Sequence, residues 1–331
     1  MLFQKQISRK PDLYPWAQLA IDAIWAGHWT PNEFNFQGDL HQFKTELTKQ
    51  EQEVVVKTLS AIGQIEIAVK TFWANLHRHL PHPSISDLGF VMAQNEVIHN
   101  QSYEKLLRVL GLEEVFEENL KLEVIQGRVN YLRKYLEKSY DDDKQQYIYS
   151  LILFTLFVEN VSLFSQFYVV LWFKKYRKVL NDVSQQVDYT AAEETIHGLV
   201  GTKLINTLRE EYPKLFDEKL EDKVERAAKE ALKAESKIID WILESYEGED
   251  LSPAILKEFV KNRINKSLHD IGFKKMFAID DAIISKTQWF DVIVNANSMT
   301  DFFNKRPTGY SKKTQDFSAK TIFSKNIFKD V

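Results

Sequence analysis

Two stretches of this sequence share one pattern, a glutamate followed three residues later by a histidine: Glu96-Val97-Ile98-His99 and Glu194-Thr195-Ile196-His197. Each stretch lies in a run with helical periodicity, and a spacing of three brings the carboxylate and the imidazole to one face of a helix. A single Glu-x-x-His is common by chance. Here a lone glutamate precedes each pattern inside an otherwise apolar helix, Glu66 before the first and Glu159 before the second.

These four elements predict a dinuclear metal site. A lone glutamate on each of two helices, with Glu-x-x-His on each of two others, is the ligand set of ferritin-like carboxylate proteins. A carboxylate buried in an apolar helix is costly unless it is paired or bound to metal. For Glu159 alone, a buried pair with Lys or Arg is an equal alternative. Oxygen and imidazole ligands without sulfur favour iron or manganese over a closed zinc site.

The fold class predicted is all-α, a ferritin-like bundle extended by additional helices. Gly (11) and Pro (8) are scarce among the 331 residues, which favours long helices. Periodicity and end signals predict helices over about 11–28, 49–80, 84–110, 113–138, 145–174, 183–209, 217–247, 253–271 and 278–295. We expect residues 1–303 to form the metal-binding domain and residues 304–331, which are polar and aperiodic, to form a flexible C-terminal tail.

Composition argues against several classes of function. A net charge of −4 and a pI near 6.1 provide no basic surface for nucleic acid. The polar stretch Met1 to Lys10 lacks the apolar core of a signal peptide, so the sequence predicts a cytoplasmic protein. The run from Tyr147 to Phe173 is long and apolar enough to span a bilayer, but Glu159 and Asn160 stand at its centre. We therefore expect the core helix of a bundle and no membrane.

Around these motifs the sequence resembles the small, radical-generating subunit of class I ribonucleotide reductase. The stretches that carry the resemblance are Trp29-Thr-Pro-Asn-Glu33, Glu96-Val-Ile-His99-Asn-Gln-Ser-Tyr103, Glu159, Glu193-Glu194-Thr-Ile-His197 and Phe302-Phe303-Asn-Lys-Arg306-Pro-Thr-Gly-Tyr310. The resemblance implies a homodimer that makes an oxidising equivalent and passes it to a large subunit, where ribonucleotides are reduced. The absence of cysteine agrees, because that reduction needs a thiyl radical and a dithiol that this chain cannot supply.

The resemblance also implies roles for particular residues. The metal ligands would be Glu66, Glu96, His99, Glu159, Glu194 and His197. Trp29 would lie on the electron-transfer route, linked to His99 through Glu193, where many relatives have Asp. Tyr103 would be a redox-active phenol near the metals. Tyr310 would pass the radical onward, and the tail would dock on the large subunit.

Docking of the tail has two candidate anchors, Phe323 and Phe328. The tryptophans outside the route lie in apolar stripes and are assigned to the core, at positions 16, 25, 73, 172, 241 and 289.

The identity of the metal depends on two departures from the tyrosyl-radical relatives. The first ligand is Glu66 where many of them carry Asp, and Lys70 follows one turn later. A cation there could hydrogen-bond a ligating carboxylate and attract an anionic oxidant. Thr190, one turn before Glu194, would make the surroundings of Tyr103 more polar. The combination resembles the dimanganese subgroup, which is activated by superoxide; two iron ions or a mixed Mn/Fe pair are the alternatives.

Two other functions remain as alternatives. One is another ferritin-like oxidase or oxygenase, of the desaturase or ligand-binding type. The other, from a non-enzyme class, is a metal-storage protein, which would need no aromatic relay.

Overall fold

Helices make up the regular structure of the protein. The structure, a computed structural model, describes residues 1–128, 130 and 143–294, except for the side chains of residues 66–68. The helices are α1 (Trp16–Ala26), α2 (Gln37–Thr45), α3 (Lys49–Ala74), α4 (Leu76–His79), α5 (Pro83–Leu110), α6 (Glu113–Asn119), α7 (Lys144–Leu153), α8 (Phe164–Trp172), α9 (Asn181–Glu211), α10 (Glu218–Ile242), α11 (Pro253–Asp270) and α12 (Asp281–Ser285). The described ranges contain no strand, and the predicted all-α class is confirmed.

Several helix ends follow from local sequence signals. Thr48 and Glu51 form a capping box at the start of α3, with Thr48 N–H donating to Glu51 Oε2 at 2.9 Å. A second box joins Thr30 and Glu33 around a short 3-10 turn. Gly111 ends α5 in the left-handed region, at φ 71°, which glycine adopts without steric cost.

Several predicted helices differ from the observed ones, and helix α2 was not predicted from the sequence. The helix predicted to Leu80 ends at Ala74, and α4 follows after Asn75. The helix predicted over 113–138 is divided into α6 and the helical residues 123–128, and its remainder falls largely outside the described residues. The helix predicted over 278–295 consists of α12 and the helical residues 288–294. The predicted boundary at 303 and the tail also lie outside the described residues.

The run Lys144–Arg177 forms the core helix of the bundle. It is the one helical run in the described ranges that is long and apolar enough to cross a membrane, and 94% of its apolar window is buried inside the protein. Helix α3 packs against both α5 and this run, and α9 also packs against the run. This burial is expected for the centre of a helical bundle.

The centre of this run is π-helical, whereas the sequence predicts a continuous α-helix. Residues Phe154–Ser162 take the wider turn, which frees backbone carbonyls from the α ladder. Side chains supply the missing donors: Asn160 Nδ2 donates to the Thr155 carbonyl at 2.7 Å, and Arg263 Nε donates to the Asn160 carbonyl at 2.5 Å. The Arg128 guanidinium donates to the Ser162 carbonyl. The π segment is therefore a specified feature of the fold.

Arg128 also ties the π segment to neighbouring helices. Its guanidinium is buried and pairs with Glu235 of α10, Nε to Oε1 at 3.0 Å. It donates further to the Ala61 carbonyl of α3 at 3.0 Å and to Gln166 Oε1 at 2.8 Å. Burying this ion pair is costly, and the hydrogen bonds from the terminal guanidinium nitrogens offset part of that cost.

Two glycines of α9 allow it to approach the π segment closely. A Cβ at Gly198 would lie 2.5 Å from Asn160 Oδ1, and a Cβ at Gly201 would overlap the Thr155 hydroxyl. Both contacts are with residues of the π segment. Small residues at these positions therefore set the spacing between the helix that carries Glu194 and the segment that carries Glu159.

Replacing Gly201 with alanine is expected to lower the free energy of unfolding. The added methyl group would force α9 and the π segment apart, and overpacking of this kind costs about 1–3 kcal/mol. Chemical denaturation would measure the loss. Gly38→Ala is the matched control, because a Cβ at Gly38 meets no atom within 4 Å. A Gly201→Ala protein as stable as the control would show that the two helices can separate at no cost.

Candidate metal centre

Three elements bring five of the predicted ligands together at the centre of the bundle. Helix α5 carries Glu96 and His99, the π segment carries Glu159, and α9 carries Glu194 and His197; all five are fully buried. Four of them offer ligand atoms that lie within 4.8 Å of one another, namely Glu96, Glu159, Glu194 and His197. The three-residue spacing brings the glutamate and the histidine of each motif together because both motifs lie on α-helices, where residues three apart share a face.

Glu96 and Glu194 lie between the two imidazoles. His197 Nδ1 is 2.9 Å from Glu96 Oε1 and 3.4 Å from Glu194 Oε2. His99 Nδ1 is 3.3 Å from Glu96 Oε2 and 3.2 Å from Glu194 Oε1. Each of the two carboxylates thus presents one oxygen to each imidazole. The cluster therefore has two halves joined by two carboxylates, an arrangement that suits two cations.

Most of the buried oxygen and nitrogen atoms of the cluster lack hydrogen bonds of regular geometry within the described residues and are available to bind metal ions. Among the described residues, both oxygens of Glu96 and of Glu194, Oε2 of Glu159 and both nitrogens of His197 make no hydrogen bond of regular geometry. Buried polar atoms without such partners are costly. Divalent cations would satisfy these lone pairs, and oxygen and nitrogen donors without sulfur suit iron and manganese.

The crowding of carboxylates also changes their protonation. Burial raises the pKa of Glu159 well above its usual range, and the neighbouring charge of Glu194 raises it further. Burial by itself would lower the pKa of His197, but the charge of Glu96 and the other carboxylates raise it well above its usual range. Bound cations would take over the role of these protons, because metal ligands must be deprotonated.

Two residues of α3, Glu66 and Lys70, were predicted to act at the metal site. The backbone of Glu66 lies in α3, beside α5, but its side chain is outside the described residues, so its ligation stays a prediction. Lys70 is half-buried, and its Nζ donates to Asn100 Oδ1 at 3.0 Å. The sequence predicts a bond from Lys70 to a ligating carboxylate, whereas the hydrogen bond described goes to the neighbour of His99.

Trp29, Glu193 and His99 form a continuous link. Trp29 Nε1 donates to Glu193 Oε2 at 3.0 Å, and His99 Nε2 lies 2.7 Å from the same oxygen. The indole and imidazole rings are also nearly parallel, with centroids 6.1 Å apart. A proton on Nε2 leaves the lone pair on Nδ1, the atom that faces Glu96 and Glu194. The Glu193 side chain is therefore long enough to contact both rings.

The other predicted residues are placed as follows. Tyr103 is buried on α5 one turn after His99, and Thr190 is buried on α9 one turn before Glu194. Their predicted effects on a radical stay predictions. Tyr310, Phe323 and Phe328 lie outside the described residues.

Two aromatic residues at the site were not predicted from the sequence. Trp73, assigned to the core, donates from Nε1 to Glu159 Oε1 at 2.8 Å. Its position two helical turns after Glu66, on the same face of α3, is a signal that could have identified it. Tyr189 packs against Trp29 with ring centroids 5.9 Å apart, and it is half-buried.

The fold and the cluster define a ferritin-like helical protein with a buried carboxylate–histidine centre. The family described as "ribonucleotide reductase, small chain" matches residues 7–283. The ribonucleoside-diphosphate reductase subunit beta of Halalkalibacterium halodurans is 24% identical over 309 residues, which cover 92% of this chain and 88% of the relative. The chain belongs to the ribonucleotide reductase small-chain family. It is thus the small subunit of an oxidoreductase.

Solved structures agree on the fold. The R2 subunit of ribonucleotide reductase from Clostridium botulinum has a TM-score of 0.76 at 19% identity, covering 85% of this chain and 88% of that chain. An R2-like ligand-binding oxidase with a Mn/Fe cofactor has a TM-score of 0.67 at 18% identity, covering 80% and 95%. At these identities the likeness concerns the fold alone. The reductase subunit of Halalkalibacterium halodurans, which matches over most of both chains, favours the reductase over the oxidase alternative.

Proposed function

We propose that this protein generates an oxidising equivalent on a pair of metal ions and passes it to a large subunit, which reduces ribonucleotides to deoxyribonucleotides. The observation that carries this proposal is the convergence of both Glu-x-x-His pairs and Glu159 in one buried cluster whose donor atoms face one another. The same cluster is joined to a buried tryptophan through Glu193. A metal-storage protein would have no use for that link.

The pair of ions would be held by Glu66, Glu96, His99, Glu159, Glu194 and His197. Bound there, the metals would supply the strong oxidising chemistry that the side chains of this chain lack by themselves. The residues of the chain do the rest: Glu96 and Glu194 join the two halves, and the apolar helices around them exclude water. The low dielectric of this core strengthens every interaction between the ligands and a cation.

The route out of the cluster would run through Glu193. An electron would move from Trp29 toward His99, while Glu193 Oε2 holds the indole N–H and the imidazole in register. Because one carboxylate oxygen accepts from both rings, the proton of either ring can shift without large motion. Tyr103, which lies one helical turn after His99 on α5, would be the residue that exchanges an electron with the metals.

The remaining steps take place on a partner. This chain has no cysteine, so the thiyl radical and the dithiol would come from the large subunit. Residues 1–303 would form the metal-binding domain of a homodimer. Residues 304–331 would form the tail that docks, with Tyr310 as the last carrier on this chain. A cytoplasmic location and no contact with nucleic acid or membrane complete the proposal.

Manganese is the metal we favour. Lys70 brings a positive charge to Asn100, the residue that follows His99 on α5. A cation beside the cluster would favour an anionic oxidant such as superoxide, as in the dimanganese subgroup that the sequence resembles. Two iron ions or a mixed Mn/Fe pair would bind the same donors.

The active protein is therefore expected to show a multiline manganese signal in electron paramagnetic resonance. The measurement needs protein purified from its native source, with the metal content determined on the same sample. Reconstitution with iron alone is the comparison. A tyrosyl radical signal from the iron-only protein, together with full activity, would contradict the manganese assignment.

Deleting residues 312–331 is expected to weaken binding to the large subunit. A buried aromatic anchor contributes about 2 kcal/mol or more to an interface, so loss of the tail should raise Kd at least ~30-fold. Phe323→Ala and Phe328→Ala should each reproduce part of the loss, with Phe317→Ala as the control. Metal content should not change. Unchanged affinity after the deletion would show that another surface docks.

A further inference from the structure

Trp73, near the end of α3, makes a direct contact with the carboxylate–histidine cluster. The side chain is fully buried, and its indole N–H donates to Glu159 Oε1 at 2.8 Å. The same indole lies against His197, with ring centroids 6.2 Å apart at an interplanar angle of 59°. Trp73 thus contacts two residues of the cluster that are carried by two other elements.

The contact makes the two oxygens of Glu159 unequal. Oε1 accepts from Trp73, whereas Oε2 makes no hydrogen bond of regular geometry and lies 3.6 Å from His197 Nδ1. We infer that Trp73 is a positioning residue that holds the Glu159 carboxylate with one oxygen turned toward the metal pair. This inference rests on the proposed metal-binding function and adds to it a residue outside the ligand set.

Glu159 needs such support because of its backbone. It stands in the π segment, where the backbone departs from the regular α ladder, and a glutamate has three rotatable bonds of its own. Trp73, by contrast, extends from a regular helix and is fixed by packing. The rings of Phe154 and Trp73 pack edge to face with centroids 5.3 Å apart, and the rings of Phe72 and Phe154 stack with centroids 3.8 Å apart. The rigid indole of Trp73 can therefore fix the orientation of the Glu159 carboxylate, which the backbone of Glu159 does not fix by itself.

A role in electron transfer fits Trp73 less well than it fits Trp29. Trp29 contacts the half-buried Tyr189, which could continue a route toward the surface. The ring contacts described for Trp73 are to Phe72, Phe154 and His197. Phenylalanine is not oxidised at the potentials that tyrosine and tryptophan reach, so these contacts favour positioning over a relay.

Trp73→Phe tests the inference because it keeps a ring in the pocket and removes the N–H donor. Titration of the full-length metal-free protein with Mn(II) should show binding weakened by about 10–100-fold, the usual loss when a partner of a metal ligand is removed. The Mn(II) resonance spectrum of the loaded protein should change as well. Trp172→Phe is the matched control. It removes an indole hydrogen bond to the Glu249 carbonyl at 2.6 Å, and the ring contacts described for Trp172 involve no residue of the cluster.

A second variant separates positioning from packing. Trp73→His keeps a ring N–H in a smaller side chain, so it should bind Mn(II) more tightly than Trp73→Phe does. Wild-type affinity and an unchanged spectrum in Trp73→Phe would overturn the inference and leave the proposed function standing. So would equal weakening in the Phe and His variants, which would indicate packing alone. A wild-type protein that binds no metal pair would overturn both.

Discussion

Replacing Glu159 with alanine is expected to abolish stoichiometric metal binding. Glu159 is the one ligand that the π segment contributes, and its Oε2 faces His197 across the cluster. Alanine would remove that donor and leave the Trp73 N–H without its carboxylate. Loss of a direct ligand should exceed the 10–100-fold effect of losing a hydrogen-bonded neighbour, so we expect a loss of at least roughly 100-fold.

The measurement is the metal content per chain after loading with Mn(II) or Fe(II) and removal of free metal. Glu258→Ala is the control, because Glu258 is also a buried carboxylate but binds Lys261 and the Asp280 N–H instead. Thermal unfolding of the metal-free proteins is the check on folding, and we expect Glu159→Ala to fold because removing a buried, desolvated carboxylate relieves a cost of the metal-free state. Two metals retained per chain in Glu159→Ala would count against the site.

Replacing Tyr310 with phenylalanine is expected to stop turnover with the large subunit. The change removes a single hydroxyl and keeps the aromatic ring, so docking through the tail should be retained. A phenylalanine cannot carry a radical at the potentials available to tyrosine, and the route would end there. The metal content and the spectrum of the metal centre should stay as in the wild type, because the ligands lie on other elements.

The assay for Tyr310→Phe is deoxyribonucleotide formation with saturating large subunit, accompanied by a binding measurement. Binding should be unchanged, which separates a broken route from failed docking. Tyr212→Phe is the control, since this half-buried tyrosine packs against Phe3 away from the cluster. Normal turnover in Tyr310→Phe would remove this residue from the pathway.

Signals that act over a few residues predicted much of the fold. The capping boxes at Thr30 and Thr48 and the glycine at Gly111 fix their helix ends through contacts within four residues, so the sequence alone predicts them. The two Glu-x-x-His pairs are local in the same sense. Because both lie on regular α-helices, their spacing correctly placed Glu96 with His99 and Glu194 with His197.

Features that depend on distant residues were missed. The π segment is stabilised by donors from Arg128 and Arg263, which come from other helices and leave no local signal in residues 154–162. Trp73 and Glu159 are 86 residues apart, and nothing in an apolar stripe separates an indole that binds a carboxylate from one that only packs. The link through Glu193 was predicted from the family resemblance and not from spacing. Its geometry required the fold.

The central claim is that six side chains from four helices hold a pair of cations. Anomalous diffraction from crystals of the protein loaded with Mn(II) tests it most directly, because it locates the ions and their ligands at once. We expect two manganese peaks between Glu96 and Glu194, with Glu66 and Glu159 completing the coordination. Peaks elsewhere, or a map in which Glu66 or Glu159 lies beyond bonding distance of either ion, would contradict the account.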